Sequence, residues 1–388
     1  MSSITRQRVG KYTYLYESKS YRDKFGRPRN TKTRVGKFNP VIGEDIYDQC
    51  YIDKMAATGT SIQNPETKPS NAEQREIALS IFDSIRNYGV HFLLLSIAKR
   101  IGLIDILSAS TANCWQEIFT LACYLVQSDK PLMYCEDWAS ETETLPAGTM
   151  SSQRISELLT VIGTSHRNAF YKSWGRHIAE QECIALDITS VSSYSELMTE
   201  CEWGYNRDQE DLPQINLCML MGETSRLPIY QTVYSGSLTD VATLKNTLKE
   251  LTALIPEKRL RVVMDKGFYS AKNVNAMLEA HDMYRAKDVV EKGFCGLKNA
   301  LGLDRLRVHS DERMQNKLFV GFIALIMMSH LHKVMSGKRL YKNLSMDKLL
   351  ITLSKIKTAR INGTRFIRPV TKEQREILAA FDLEMSVG

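Results

Sequence analysis

The chain has 388 residues, 43% hydrophobic and 24% charged, the composition of a soluble globular protein with room for two or three domains. Its eight cysteines form no Cys-x-x-Cys pair, which argues against a structural zinc site or a secreted disulfide framework and for a reducing cytoplasm. The net charge of +7 is unevenly spread: residues 1–37 carry a net of +9, and the remainder totals about −2.

That basic arm is an electrostatic footprint for a polyanion, most simply nucleic acid. Within it, Tyr12, Tyr14 and Tyr16 share one strand face, Phe25-Gly-Arg-Pro28 supplies turn chemistry, and Arg29–Phe38 alternates with Lys and Arg. The pattern predicts a basic β-hairpin whose aromatics can pack or stack on bases. Residues 56–70, rich in Thr, Ser, Pro and Asn, read as a linker. From Asn71 the apolar spacing becomes helical, with helices expected over 71–85, 91–107, 114–127, 152–162 and 167–180. None of these forms a clear helix-turn-helix. No signal peptide is visible, and the apolar runs Val90–Ile97 and Leu318–Met328 are too short to span a bilayer, so no membrane role is expected.

At Glu182 the character changes. Cys183–Asp187 reads as a short buried strand ending on a carboxylate, followed by strands over 212–222 and 227–235, a helix over 238–254, and a strand over 259–265 that again ends on Asp. Hairpin-linked strands, a crossover helix and a parallel fourth strand give the order of an RNase H-like sheet. In that order Asp187 and Asp265 emerge side by side at the sheet's C-terminal edge. Further helices are expected over 285–301, 313–335 and 345–357, and Thr371-Lys-Glu-Gln374 looks like a capping box opening the last one.

The helix over 285–301 carries the densest chemistry. Tyr284, Lys287, Glu291 and Lys298 are spaced by three, four and seven, which puts them within a sector of roughly 60° beside the apolar flank Val290, Phe294, Leu297 and Leu301. An ordinary solvated face with ion pairs such as Lys287–Glu291 would share this spacing. Two strand-end Asp in the right topology, followed by this Glu, suit a different purpose. Two divalent ions held by three carboxylates can activate one oxygen of a phosphodiester and stabilise the other. Asp187 would bridge two magnesium ions, Asp265 and Glu291 would each hold one, and Tyr284, Lys287 and Lys298 would position phosphates. The histidines offer no competing metal site, and Gly-x-Ser-x-Gly, Gly-x-Gly-x-x-Gly and P-loop motifs are absent.

These residues resemble a DDE-type insertion-sequence transposase, of the branch marked by a Tyr-x2-Arg-x3-Glu-x6-Lys helix, with Lys287 in place of the Arg. Asp187-Ile-Thr-Ser, Gly204-Tyr-Asn-Arg-Asp, Leu212-Pro-Gln-Ile-Asn, Asp265-Lys-Gly-Phe-Tyr-Ser and Phe319-Val-Gly-Phe-Ile-Ala-Leu-Ile are similar to that branch too. The resemblance implies an RNase H-like core, magnesium dependence with manganese as a substitute, and cut-and-paste strand transfer on terminal-repeat double-stranded DNA. It also implies a homodimer in a synaptic complex, in the nucleoid-associated cytoplasm of a bacterium or archaeon.

One departure stands out. Such transposases carry a fifth core strand and a β-rich insertion between the second Asp and the Glu, whereas Asp265 and Glu291 are only 26 residues apart. After a helix expected over 271–280, His281-Asp-Met is too short for a strand. The chain reads as if an internal segment had been removed. That leaves open a metal-dependent transposase whose activity the deletion puts in question, a non-catalytic DNA-binding and dimerising remnant that inhibits transposition, and a host nuclease of the RNase H-like superfamily. The expected organisation is a basic β-hairpin arm (1–55), a linker (56–70), an α-helical domain (71–181), an α/β catalytic core truncated between 265 and 291 (182–335), and C-terminal helices (336–388).

Overall fold

The computed structural model describes residues 2–40, 43–60, 71–178, 183–206, 209–239, 261–264, 288–303, 305–361 and 364–385, with isolated positions between them. The chain divides into two compact units, Met1–Ser80 and Ile81–Gly388.

The first unit contains more than the expected hairpin. Strands β1 (Ser2–Val9), β2 (Tyr12–Arg22), β3 (Pro28–Asn39) and β4 (Glu44–Tyr47) form a four-stranded antiparallel sheet in chain order. The β2–β3 turn is held by Asp23, whose Oδ1 accepts the N–H groups of Phe25 at 2.9 Å and Arg27 at 3.0 Å. Strand alternation sends Leu15 and Glu17 inward, where Leu15 packs with Val35 and with Tyr51 of helix α1 (Gln49–Ala57), and Lys54 donates to Glu17 at 2.7 Å. Tyr12, Tyr14 and Tyr16 therefore share the opposite face, as expected, with the Arg34 guanidinium 5.2 Å from the Tyr14 ring centroid. Strands β1 and β4 lack a strong alternation of their own; pairing with β2 and β3 makes them strands.

Helix α2 (Asn71–Asp83) and the short strand β5 (Arg86–Asn87) lead into a helical layer: α3 (Gly89–Arg100), α4 (Leu103–Ser110), α5 (Trp115–Gln127), α6 (Cys135–Glu141), α7 (Ser152–Val161) and α8 (Thr164–Ile178). The expected helix over 91–107 is two helices, because Gly102 takes a left-handed φ of +72° between them. Arg154 clamps Glu117 through two hydrogen bonds of 2.6 and 2.8 Å, tying α7 to α5.

The central sheet holds β6 (Cys183–Ser192), β7 (Gln214–Gly222), β8 (Pro228–Ser235) and β9 (Arg261–Met264) in the order β8-β7-β6-β9, with β9 parallel to β6 and the other pairs antiparallel. This is the RNase H-like arrangement anticipated from the element order. Its two faces are distinct. Ile184, Leu186, Ile188, Cys218 and Leu220 pack with Leu244 from the helical residues after β8. Ala185, Val191, Leu217, Met219 and Met221 join the main core, shared with the helical layer and with α9 (Asp288–Cys295) and α10 (Asp311–Gly337). The indole N–H of Trp174 donates to the Pro228 carbonyl at 2.8 Å and pins α8 to the edge strand.

Helix α10, 27 residues long, is apolar enough to cross a membrane by length and composition, although the bare run Leu318–Met328 is not. Its apolar side chains are buried inside the protein, against α5, α7 and β8. Beyond it lie α11 (Met346–Ser354), strands β10 (Lys357–Ile361) and β11 (Thr364–Ile367), and α12 (Lys372–Ala380). The C-terminal region is thus not helices alone: β10 pairs with β11 on one side and β5 on the other in a three-stranded sheet. The expected capping box is present, with Gln374 N–H donating to Thr371 Oγ1 at 3.3 Å and Thr371 N–H to Gln374 Oε1 at 2.9 Å.

Candidate active site

Strand β6 does not end on Asp187. It runs to Ser192, because Ile188–Ser192 pair with Gln214–Cys218 of β7, so Asp187 sits in mid-strand. The antiparallel registers place Asp187 opposite Met219, and Met219 opposite Gln231, in one row across three strands. Alternation puts this row on the face that α9 and α10 cover. Asp187 is only 7% exposed, and its Oδ1 accepts the N–H of Ile188 at 2.8 Å. A carboxylate this buried is costly unless cations or donors face it.

Described pairing between β6 and β9 runs from Cys183↔Arg261 to Leu186↔Met264, one step short of Asp187 and Asp265. Asp265, Tyr284 and Lys287 lie outside the described residues, as does the expected helix over 271–280.

Glu291 is described, and its helix is seated by the flank that the sequence marked. Val290, Phe294, Leu297 and Leu301 are all buried, while Glu291 is exposed. Gly293 lets α9 lie close to the sheet: a Cβ there would come within 3.2 Å of the sulfur and terminal methyl of Met221 and 3.5 Å of the Met219 sulfur. Because Met219 is the cross-strand neighbour of Asp187, the Glu291 helix rests on the row that holds Asp187.

The α-helical register ends sooner than expected. After Cys295 the backbone passes into a π-helical turn, Gly296–Ala300, so Lys298 leaves the ideal angle of the Glu291 face. Half-buried, Lys298 sits near a pair that the sequence reading missed, Arg305 and Glu210. Two hydrogen bonds join their side chains, and the Arg305 guanidinium also lies 5.4 Å from the Tyr194 ring centroid. Hydrogen bonds from Arg305 and then Ser192, with the charge of Lys298 adding to them, hold the Glu210 carboxyl below its usual range. No local spacing rule links residues 95 positions apart, which is why the pair escaped detection.

Among the described residues no group of three His, Cys, Asp or Glu side chains gathers for a metal. What the described part assembles is narrower: a buried carboxylate, a second carboxylate on the helix docked over its row, and a lysine one π turn further on. Both carboxylates offer oxygen alone, and Cys218 belongs to the opposite face of the sheet, so the donor chemistry fits a hard divalent cation.

Residues 178–284 match the family model described as Transposase DDE domain. This segment is therefore similar to a DDE-type transposase domain. No curated protein sequence matches the chain. Among solved structures, the chain is similar to a piggyBac transposase synaptic complex with hairpin DNA (11% identity, TM-score 0.35, covering 62% of this chain and 70% of that one). It is also similar to the Mos1 mariner paired end complex with Mn (12% identity, TM-score 0.25, covering 56% and 77%). A Mos1 transposase paired-end complex with the left transposon end shows 11% identity and a TM-score of 0.26, covering 74% and 86%.

Proposed function

We propose that this protein cleaves double-stranded DNA at the terminal repeats of an insertion sequence and transfers the freed end, acting as a homodimer in a synaptic complex. The observation that carries the reading is the seating of the Glu291 helix, through Gly293, on the strand row of Asp187. The similarity of residues 178–284 to a transposase domain and the net charge of +9 on residues 1–37 support it. The working compartment is the nucleoid-associated cytoplasm of a bacterium or archaeon.

Asp187, Asp265 and Glu291 are assigned to hold magnesium, with manganese as a substitute. When bound, such ions supply charge neutralisation at the phosphorus and an acidified attacking water. The chain's own residues do the rest. Burial of Asp187 in mid-strand, with β7 paired beside it, holds one carboxylate on the sheet, and the apolar seat of α9 keeps Glu291 over the same face. Lys298, with Tyr284 and Lys287, places phosphate oxygens by charge and hydrogen bonding without reading bases.

The test is Asp187→Asn, which keeps the side chain's size and removes its charge. Magnesium-dependent nicking of terminal-repeat DNA is expected to fall at least about a thousandfold while duplex binding survives. Cleavage at the parent rate by the Asn variant would sink the assignment.

The 26-residue spacing between Asp265 and Glu291 favours a second reading, the non-catalytic remnant that binds DNA, dimerises and inhibits transposition. A parent protein that binds and pairs terminal repeats but cuts with neither magnesium nor manganese would establish that reading over the first.

A further inference from the structure

Beyond the end of the Glu291 helix lies a cleft of about 420 Å³, walled by the α5–α6 connection, α7 and the segment 301–309. Its floor is apolar, with Leu159 and Leu303 among its side chains, and its rim carries Lys130, Arg307, His309 and Arg313. Asp129 is the only acid among the lining residues. Among the described residues, Lys130, Arg307 and Arg313 have no carboxylate within ion-pair distance.

The rim is a built surface. Ser192 forms a bridge with Arg305 and accepts the Leu306 N–H at 3.4 Å, and the buried Lys317 ammonium donates to the Leu306 carbonyl at 2.6 Å. Immediately after this anchored stretch Arg307 holds a left-handed φ of +48°, which a residue other than glycine adopts only at a cost. Cations of one sign around a low-dielectric floor also focus their field outward, which draws a polyanion to the rim.

We infer that this cleft grips the phosphodiester backbone of duplex DNA independently of sequence, extending the DNA track past Lys298. The inference rests on the DNA reading proposed above and adds a contact surface outside the carboxylate site. Arg307 and Lys130 each neutralise one phosphate, and Arg313 and His309 line the same path.

The full chain is titrated with a fluorescent duplex of random sequence over a series of salt concentrations, and compared with a Lys130→Ala/Arg307→Gly variant. Glycine at 307 removes the charge and relieves the backbone, so the melting temperature should not fall. The matched control is Lys372→Ala/Arg339→Gly, which removes the same charges from exposed positions elsewhere, Arg339 also having a positive φ of +57°. Each lost phosphate contact removes about 0.9 from the slope of log affinity against log salt, so the cleft variant should lose about 1.8 and bind about sixtyfold more weakly at 0.1 M salt. The control should stay near the parent.

Equal losses in both variants, or none in either, would overturn the inference. Displacement of the duplex by millimolar ATP at fixed ionic strength, in the parent but not the cleft variant, would reassign the cleft to a free nucleotide. A parent that binds no duplex at all would instead refute the DNA reading on which the inference stands.

Discussion

The contact between Gly293 and the Met219–Met221 row can be perturbed by amounts the structure specifies. A Cβ at position 293 arrives 3.2 Å from the Met221 sulfur and methyl and 3.5 Å from the Met219 sulfur. Relaxed carbon contacts lie at about 3.5–4.0 Å, so Gly293→Ala asks for a few tenths of an ångström, which the pliant end of Met221 can give. Alanine also gains up to about 1 kcal/mol of helix propensity, so this variant should be as stable as the parent or slightly more so. Gly293→Val is different in kind. Its two methyls project about 1.5 Å beyond Cβ, and α9 must lift by about 1 Å at an overpacking cost of about 1–3 kcal/mol. A displacement of that size costs roughly a hundredfold in rate when it separates groups that must act together. Single-turnover, magnesium-dependent cleavage of terminal-repeat DNA and thermal unfolding, measured on the same preparations, give both quantities. The expected order is parent and Ala within about threefold of each other and Val about a hundredfold slower. A valine variant that melts and cleaves like the parent would show that the Glu291 helix does not depend on this seat.

Two further outcomes concern stability. Burial pushes the His91 imidazole down to about 4, only partly opposed by Glu143, and both ring nitrogens are buried without a partner among the described residues. Between pH 6.5 and 4 the unfolded chain therefore binds the proton that the folded chain refuses, so this contribution to stability is present above 6.5 and lost as pH falls. The loss amounts to about 3 kcal/mol, and His91→Leu should remove it, leaving a flatter urea-unfolding profile to which His330, also lowered to about 4, still contributes. An unchanged pH profile in the leucine variant would contradict the assignment. Thr371→Ala deletes one arm of the capping box and should cost about 1 kcal/mol in the same assay, whereas Thr371→Ser should cost little.

Legibility in the sequence followed how local the determining physics is. The capping box of α12 and the apolar flank of α9 were readable because residues three or four apart meet on a helix. The order of β6 to β9 was readable because buried strands and a crossover admit few topologies. The end of β6 was not. Ile188, Thr189 and Val191 favour a strand, but Asp187 and the serines break the apolar run, and pairing with β7 carries the strand through to Ser192. The β10–β11 hairpin was missed although Asn362-Gly363, a strong hairpin dipeptide, stands between its strands. The Arg305–Glu210 pair and the rim of Arg307, His309 and Arg313 depend on how distant segments fold together.

The same distinction bears on the short interval between Asp265 and Glu291. A segment missing before the Glu helix would matter most if the helix depended on it for position. Among the described residues, α9 is positioned by Met219 and Met221 beneath Gly293 and by the core against Val290, Phe294 and Leu297. Leu303, just past the π turn, packs in turn against Gly321 of α10, which anchors the helix from its C-terminal side. A helix seated from its face and its far end tolerates change at its near end better than one hung from its preceding loop. Loss of an insertion is therefore expected to remove whatever that insertion contacts on DNA before it disturbs the relation of Glu291 to the Asp187 row. Residual nicking without any later strand-transfer product is the pattern that this separation produces, and a protein inert at both steps would argue that the near end mattered after all.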